Sequence, residues 1–365
     1  MSIKKRVAWP DIAKGIGILL VVLAHTLIPK FREQFGYDYL LTLVAIVAMA
    51  VFYFVSGWLF ELKAEKYEQN KLKAIGSKFM HLMIPYFSFS VLYYILINIA
   101  LNISFSAQIM TSAGGYEKCT LGEAVFQILT FQNSMAKSLW FLYILFIITA
   151  INILFPKFMK NPIVIIALFF LPYITRVIVL PDIIARSTLY FAFFSLARLL
   201  FNFTDKILAM KKYIFAIISI FFILFTFAYG VSVYHNLFSQ TGTFLYLIHP
   251  IVKSILAVSG IAVICIGSNY IAKTNRISKF FKYLGNNSFV IYLIHTPILT
   301  PAVVSLLVKF LPFIPTIADC IIGIAVGVGV SLLISEFILK KIPILNTIFT
   351  GAPYKKKIKA RHQAD

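Results

Sequence analysis

Asp11, Lys14 and His25 lie in the first long apolar stretch of the chain, Asp11-Ile-Ala-Lys-Gly-Ile-Gly-Ile-Leu-Leu-Val-Val-Leu-Ala-His25. Ionisable groups at membrane depth are costly and face a protein interior or a functional cavity. At about 100° per residue, the eleven-residue step from Lys14 to His25 brings both to one helix face, with Asp11 about 40° away. At about 1.5 Å per residue, Lys14 and His25 stand about 16 Å apart along the axis, so they touch two ends of one long substrate rather than each other. Histidine titrates near neutrality and can take a hydroxyl proton as a general base. Lys14, near the start of the stretch, can meet donor phosphates as a point charge. Asp11 either holds Lys14 or serves as a favourable acid in the first helical turn.

The elements that position these groups are membrane spans. The 365 residues are 60% hydrophobic, with a mean hydropathy of +0.89. Many apolar runs approach the roughly 20 residues needed to cross a bilayer. The pattern predicts an all-α, polytopic membrane helix bundle of about ten transmembrane helices, at 12–29, 39–60, 80–104, 138–155, 162–180, 188–204, 213–234, 243–267, 285–308 and 315–339. The formal charge is +21, and its distribution decides what it means. Lys4 to Arg6, the cluster from Lys63 to Lys78, Lys157 and Lys160, Lys206 to Lys212, Lys273 to Lys282, Lys340 and Lys341, and the tail Lys355 to Arg361 fall on one side. The opposite loops hold only Lys30, Arg32, Lys118, Lys137, Arg176, Arg186 and Lys309. The positive-inside rule then puts both termini in the cytoplasm, and the basic charge is a matter of topology and of contact with membrane lipids, with no nucleic acid as partner. The chain divides into an integral membrane domain, 1–345, and a basic tail, 346–365. The first span is too long for a signal-peptide core and is read as a retained anchor. Cys119, Cys265 and Cys320 are scattered, so neither a disulfide framework nor a metal site is expected.

Other polar residues stand out against the apolar background. Val51-Phe-Tyr-Phe-Val-Ser-Gly-Trp58 closes the second span. Tyr53 and Ser56 there are candidates for a donor site, and Ser56-Gly57 reads equally well as a small-residue helix contact. His81 and Pro85 open the third span near the interface. Residues 105–137 form the longest external connection, and its length suggests a lid over an acceptor. Ser138-Leu-Trp-Phe-Leu-Tyr143 follows, with Trp140 a candidate for the acceptor side or for the aromatic belt. The eighth and ninth spans share Tyr-Leu-Ile-His, at Tyr246–His249 and Tyr292–His295. Ser288, Tyr292 and His295 share one helical face and make an inward polar stripe, whereas His249 reads as interfacial. Arg198 reads as a snorkelling residue near a cytoplasmic end. Asp319, in the outer third of the tenth span, is a candidate to orient a histidine, and Gly323, Gly327 and Gly329 mark close helix packing. On these residues alone, a membrane enzyme and a proton-coupled transporter stand level.

The order of the motifs Asp11 to His25, Phe54-Val-Ser-Gly-Trp58, Ser138-Leu-Trp-Phe-Leu142 and Ser288-Phe-Val-Ile-Tyr-Leu-Ile-His295 resembles that of the membrane acyltransferases of the acyltransferase-3 family. The first stretch is similar to the fucose 4-O-acetylase-like branch, which includes nodulation-factor and polysaccharide O-acetylases. The likeness runs from about residue 8 to 340 and, over spans five to seven, rests on hydrophobicity alone. It implies a multi-pass enzyme of a bacterial plasma or inner membrane, with no bound cofactor, moving an acetyl group from acetyl-CoA to a sugar hydroxyl of a surface polysaccharide or lipid-linked glycan. The family's catalytic histidine falls on His25, and its essential basic residue on Lys14. Many members carry Arg where this chain has Lys14, which gives up the bidentate fork. His25 is then the general base or a transient acyl carrier, Lys14 steers the donor with Tyr53 and Ser56 beside it, and Trp140, Tyr292 and His295 border the acceptor. The rivals are a flippase or transporter of a lipid-linked oligosaccharide, whose expected signs are discontinuous spans and paired intramembrane charges, and an O-succinyltransferase on the same scaffold. Oligomeric state is not encoded in any of these features.

Overall fold

The computed structural model describes residues 7–177, 182–239 and 244–352. In chain order its helices are α1 (Trp9–Thr26), α2 (Phe35–Glu61), α3 (Ala64–Gln69), α4 (Lys71–Leu101), α5 (Ser104–Gly114), α6 (Leu121–Leu129), α7 (Trp140–Leu154) and α8 (Pro162–Val177). They continue as α9 (Asp182–Leu200), α10 (Thr204–Leu208), α11 (Lys212–Tyr234), α12 (Phe244–Ile271), α13 (Arg276–Ile294), α14 (Thr300–Phe310), α15 (Thr316–Ile334) and α16 (Pro343–Thr350). No strand occurs among the described residues. Eight segments are long and apolar enough to cross a membrane, one of them the combined stretch Arg276–Phe310, and Pro162–Pro172 adds a shorter apolar helix. Together with α9 they account for the ten expected spans, and the chain is a multi-pass membrane helix bundle.

The first span begins and ends about one turn earlier than hydropathy alone suggests. Pro10 sits in the first turn of α1, where its missing N–H costs nothing and its fixed φ favours the helix. Ile28, held extended before Pro29, ends it, because a residue before proline is pushed away from helical geometry. Arg32 then donates to the freed carbonyl of Leu27 at 2.8 Å.

The tightest pair in the bundle is α1 with α13. Gly15 lies on the Phe281 backbone and Gly285 on the Asp11 backbone, so a side chain at either position would collide with a carbonyl. Small residues allow this approach, and packing contacts hold spans together where lipid offers no hydrophobic drive. Gly57 does the same between α2 and α9, against Phe194. Gly323 and Gly327 on α15 receive Thr26, Val304 and Thr300, whereas Gly329 faces open space. Lys340 reaches Asn287 at 3.3 Å, and Gly351 packs on the backbone of Met80 and His81. The start of α1 and the end of α16 therefore lie at one end of the bundle, called the inner end below. The expected boundary at 345 falls inside α16, which packs on α4.

Arg198 does not snorkel. It is 2% exposed and clamps three segments, donating to Glu61 Oε2 at 2.8 Å, Asn152 Oδ1 at 2.6 Å and the Pro156 carbonyl at 3.3 Å. Lys160 completes the pair at Glu61 Oε1, 2.5 Å away. A charge buried this deeply persists only with its partners in place. Residues 105–137 hold two helices rather than an open loop, α5 packing on α14 and α6 starting from a capping box between Thr120 and Glu123. The side chains of Arg176 and Arg186, and the basic tail from residue 353, lie outside the described residues.

Candidate active site

Between α13 and α14 the helix breaks. His295–Leu299 forms a wide turn, Thr296 is extended (φ −135°, ψ 155°), and the Thr296–Pro297 peptide is cis. Pro297 has no N–H to give the carbonyl of Leu293, four residues back. Tyr93 of α4 supplies the missing donor, its hydroxyl 2.5 Å from that carbonyl. The break is thus held open by a side chain from across the bundle.

His295 sits at this break with no exposed surface. Its Nδ1 is 2.8 Å from the Ile291 carbonyl, which assigns the proton to Nδ1 and leaves Nε2 as the basic nitrogen. That Nε2 is buried without a hydrogen-bond partner. An orphaned buried acceptor costs free energy, and functional sites are where such a cost is retained. Directly opposite is His25, at the last turn of α1, with ring centroids 5.1 Å apart and planes at 63°. Among the described residues, His25 has no hydrogen-bond partner of its own. Thr300 Oγ1 and Ser305 Oγ on α14 and Asp319 Oδ1 on α15 are also buried and unpartnered, so the outer side of the histidine pair is a polar region inside an apolar bundle.

Aromatic contacts run sideways from the pair. Tyr292 lies 6.2 Å from His295 and 5.3 Å from Phe141 between centroids, and Phe141 lies 4.9 Å from Tyr53. Tyr53 stacks on Tyr190 at 4.5 Å, which in turn lies 5.3 Å from Trp140. The Tyr292 hydroxyl donates to the Ser138 carbonyl, and that of Tyr53 to the Phe141 carbonyl at 3.4 Å. The second, fourth and ninth expected spans therefore meet beside the histidine pair.

Other candidates lie elsewhere. Lys14 pairs with Asp11 at 3.0 Å, which is the holding role considered for that acid. Both sit at the inner end of the same unbroken helix as His25. Tyr53 is fully buried and does not line the inner cavity that Ser56 does. Asp319 orients neither imidazole, since His295 Nδ1 is taken by a backbone carbonyl and the Asp319 carboxylate makes no hydrogen bond to either ring. A backbone carbonyl one turn back was nearer than any carboxylate. His249 is bonded instead to the Tyr229 hydroxyl at 2.6 Å.

Among the described residues, one cavity lies at the inner end of the bundle and another at the opposite end. The inner one, about 380 Å³, is lined by Ser56, Lys63, Tyr67, Lys78 and His81 among others. Lys78 lies over the Tyr67 ring at 5.3 Å. Of these, sequence reading singled out Ser56 for the donor and placed His81 near the interface, but missed the lysines, whose charge topology already explained. The outer one, about 400 Å³, opens beyond His25 between the chain after α1, α5 and α14. Tyr93 was also missed, and its only sequence signal is Pro297, which orphans the carbonyl it caps.

A membrane helix bundle in which two histidines face each other at a broken span, one of them buried with an unpartnered Nε2, defines a class: an intramembrane site built for proton transfer or group transfer. The family profile described as an acyltransferase domain matches residues 7–336. The chain belongs to that acyltransferase-3 family and is a membrane acyltransferase. Searches of curated proteins and of solved structures returned no match.

Proposed function

We propose that the chain is an O-acetyltransferase that moves an acetyl group from acetyl-CoA to a sugar hydroxyl of a cell-surface polysaccharide or lipid-linked glycan, with both termini cytoplasmic. The observation that carries the chemistry is the His25–His295 pair, with a free basic nitrogen facing a second imidazole at a helix break. His25 accepts the proton of the acceptor hydroxyl as that oxygen attacks the thioester carbonyl. The C–O bond forms, the C–S bond breaks, and the CoA thiolate leaves and takes up a proton. His295, its Nδ1 fixed by the Ile291 carbonyl, offers its Nε2 as acceptor to the imidazolium formed on its neighbour. General-base catalysis of this kind contributes about 10²–10⁴-fold.

The donor approaches from the inner end. Lys63 and Lys78 at the inner cavity, together with Lys14, give point charges for its phosphates. Ser56 is the candidate of the second span that lines this cavity. Tyr53, expected at the donor, and Trp140, expected at the acceptor, support the wall through Tyr190 instead. Tyr292 and His295 border the acceptor. A glycan transporter would also use a discontinuous span and paired buried charges, and the break at 295–299 and the Arg198–Glu61 pair are the observations in its favour; family membership favours transfer.

The test is mass analysis of the surface glycan from cells lacking the gene and from complemented cells. A gain of one acetyl group per modified unit on complementation supports the reading. A succinyl increment redirects it to the other acyl group, and lost export with no mass change contradicts it.

A further inference from the structure

We infer that the outer cavity beside His25 holds an anionic group, phosphate or carboxylate, carried by the sugar acceptor; this rests on the transferase reading above. Lys30, just past α1, and Lys309, at the end of α14, both line it, with Gln108 and Ser112 of α5 and Ser305 of α14 between them. The positive-inside bias accounts for lysines at the inner end and empties the outer loops of them. Two of the seven outer cations nevertheless converge on this one cavity. No carboxylate lines it.

The site is built rather than a chance meeting of surface chains. Ser305 is 9% exposed, its Oγ is buried with no partner, and it lines the cavity. The Lys309 ammonium is positioned by Gln108 Oε1 at 3.0 Å and by the Phe105 and Phe310 rings at 5.1 and 5.8 Å. A phosphate or carboxylate here would accept from two ammonium groups and from the Ser305 hydroxyl, and charge-assisted bonds of this kind are about twice as strong as neutral ones. The position fits a single acceptor spanning both sites. Ile28 to Lys30 follow His25 by three to five residues, and Val304, next to Ser305, packs with Thr26 on Gly323. The chain leaves α1 at Thr26, one residue past His25, so the charge would sit outward of the hydroxyl being acylated.

The experiment reads binding, not turnover. The full-length protein in phosphatidylcholine nanodiscs is treated with a water-soluble amine-reactive ester, and modification of Lys30, Lys309 and the exposed inner-end control Lys66 is followed by peptide mass spectrometry. Glucose 1-phosphate or glucuronic acid should slow modification of Lys30 and Lys309 about threefold or more, whereas glucose should not, and Lys66 should be unaffected. Lys309→Gln should abolish protection of Lys30. No protection, protection equal with glucose, equal protection of Lys66, or protection of Lys30 surviving in Lys309→Gln overturns the inference. So does protection that appears on adding phosphatidylglycerol to the nanodiscs and is not increased by the sugar acids, which would make the site a lipid-headgroup contact. Inactivity of the glycan assay, by contrast, bears on the transferase reading and leaves this readout intact.

Discussion

Tyr-Leu-Ile-His occurs twice, and the two copies end in different chemistry. At Tyr246–His249 the helix α12 runs on through Pro250, and the imidazole is stacked on Tyr229 and bonded to its hydroxyl. At Tyr292–His295 the helix stops, the imidazole is sealed from solvent, and its Nε2 is left without a partner opposite a second histidine. The motif does not make the site. What makes it is the break at Thr296-Pro297 and the carbonyl cap from Tyr93, which leave the His295 Nε2 unsatisfied opposite His25.

The comparison can be broken most sharply by substituting the two histidines in turn. His295→Ala should lower acyl transfer about 100-fold or more at matched membrane abundance, while His249→Ala should stay within about threefold. Equal losses would mean that both copies serve only the fold. Next in size is Lys14→Ala, expected to cost about tenfold or more in donor kcat/KM, with Lys14→Arg retaining most of it, since the role is that of a charge. The acetyl-CoA dependence of the rate separates this from a helix defect.

A stability contrast follows. Gly285→Ala drives a methyl group into the Asp11 carbonyl and should destabilise by about 1–3 kcal/mol, whereas Gly329→Ala, in open space, should be near neutral. Thermal unfolding in detergent measures both. Comparable in size is Tyr93→Phe, which strips the donor from the Leu293 carbonyl and should cost about 1–3 kcal/mol of stability. Tyr229→Phe, beside the other histidine, should leave turnover unchanged, and a larger loss of activity there than in Tyr93→Phe would reverse the contrast drawn between the two copies.

The spans were legible because a long apolar run in lipid has few solutions other than a helix. The limits of α1 were not, because Pro10 and Pro29 set them, and hydropathy does not weigh proline. The Lys14–His25 stripe could be read directly, since both lie on one helix. That His25 meets His295 could not, because nothing in the spacing of one span records which face of another it opposes. Arg198 was misread for the same reason: its partner Glu61 is 137 positions away. The inner cavity lysines were hidden by a sufficient other explanation, the topology rule, while the outer pair, Lys30 and Lys309, stood against that rule and still needed the fold to bring them together.

The central claim is that His25 takes the acceptor's proton. It is tested most directly by measuring glycan acetylation in cells carrying wild-type protein or His25→Ala at equal membrane abundance. With His25→Ala the acetyl mass increment should disappear while the glycan is still exported; an undiminished increment would remove His25 from the chemistry.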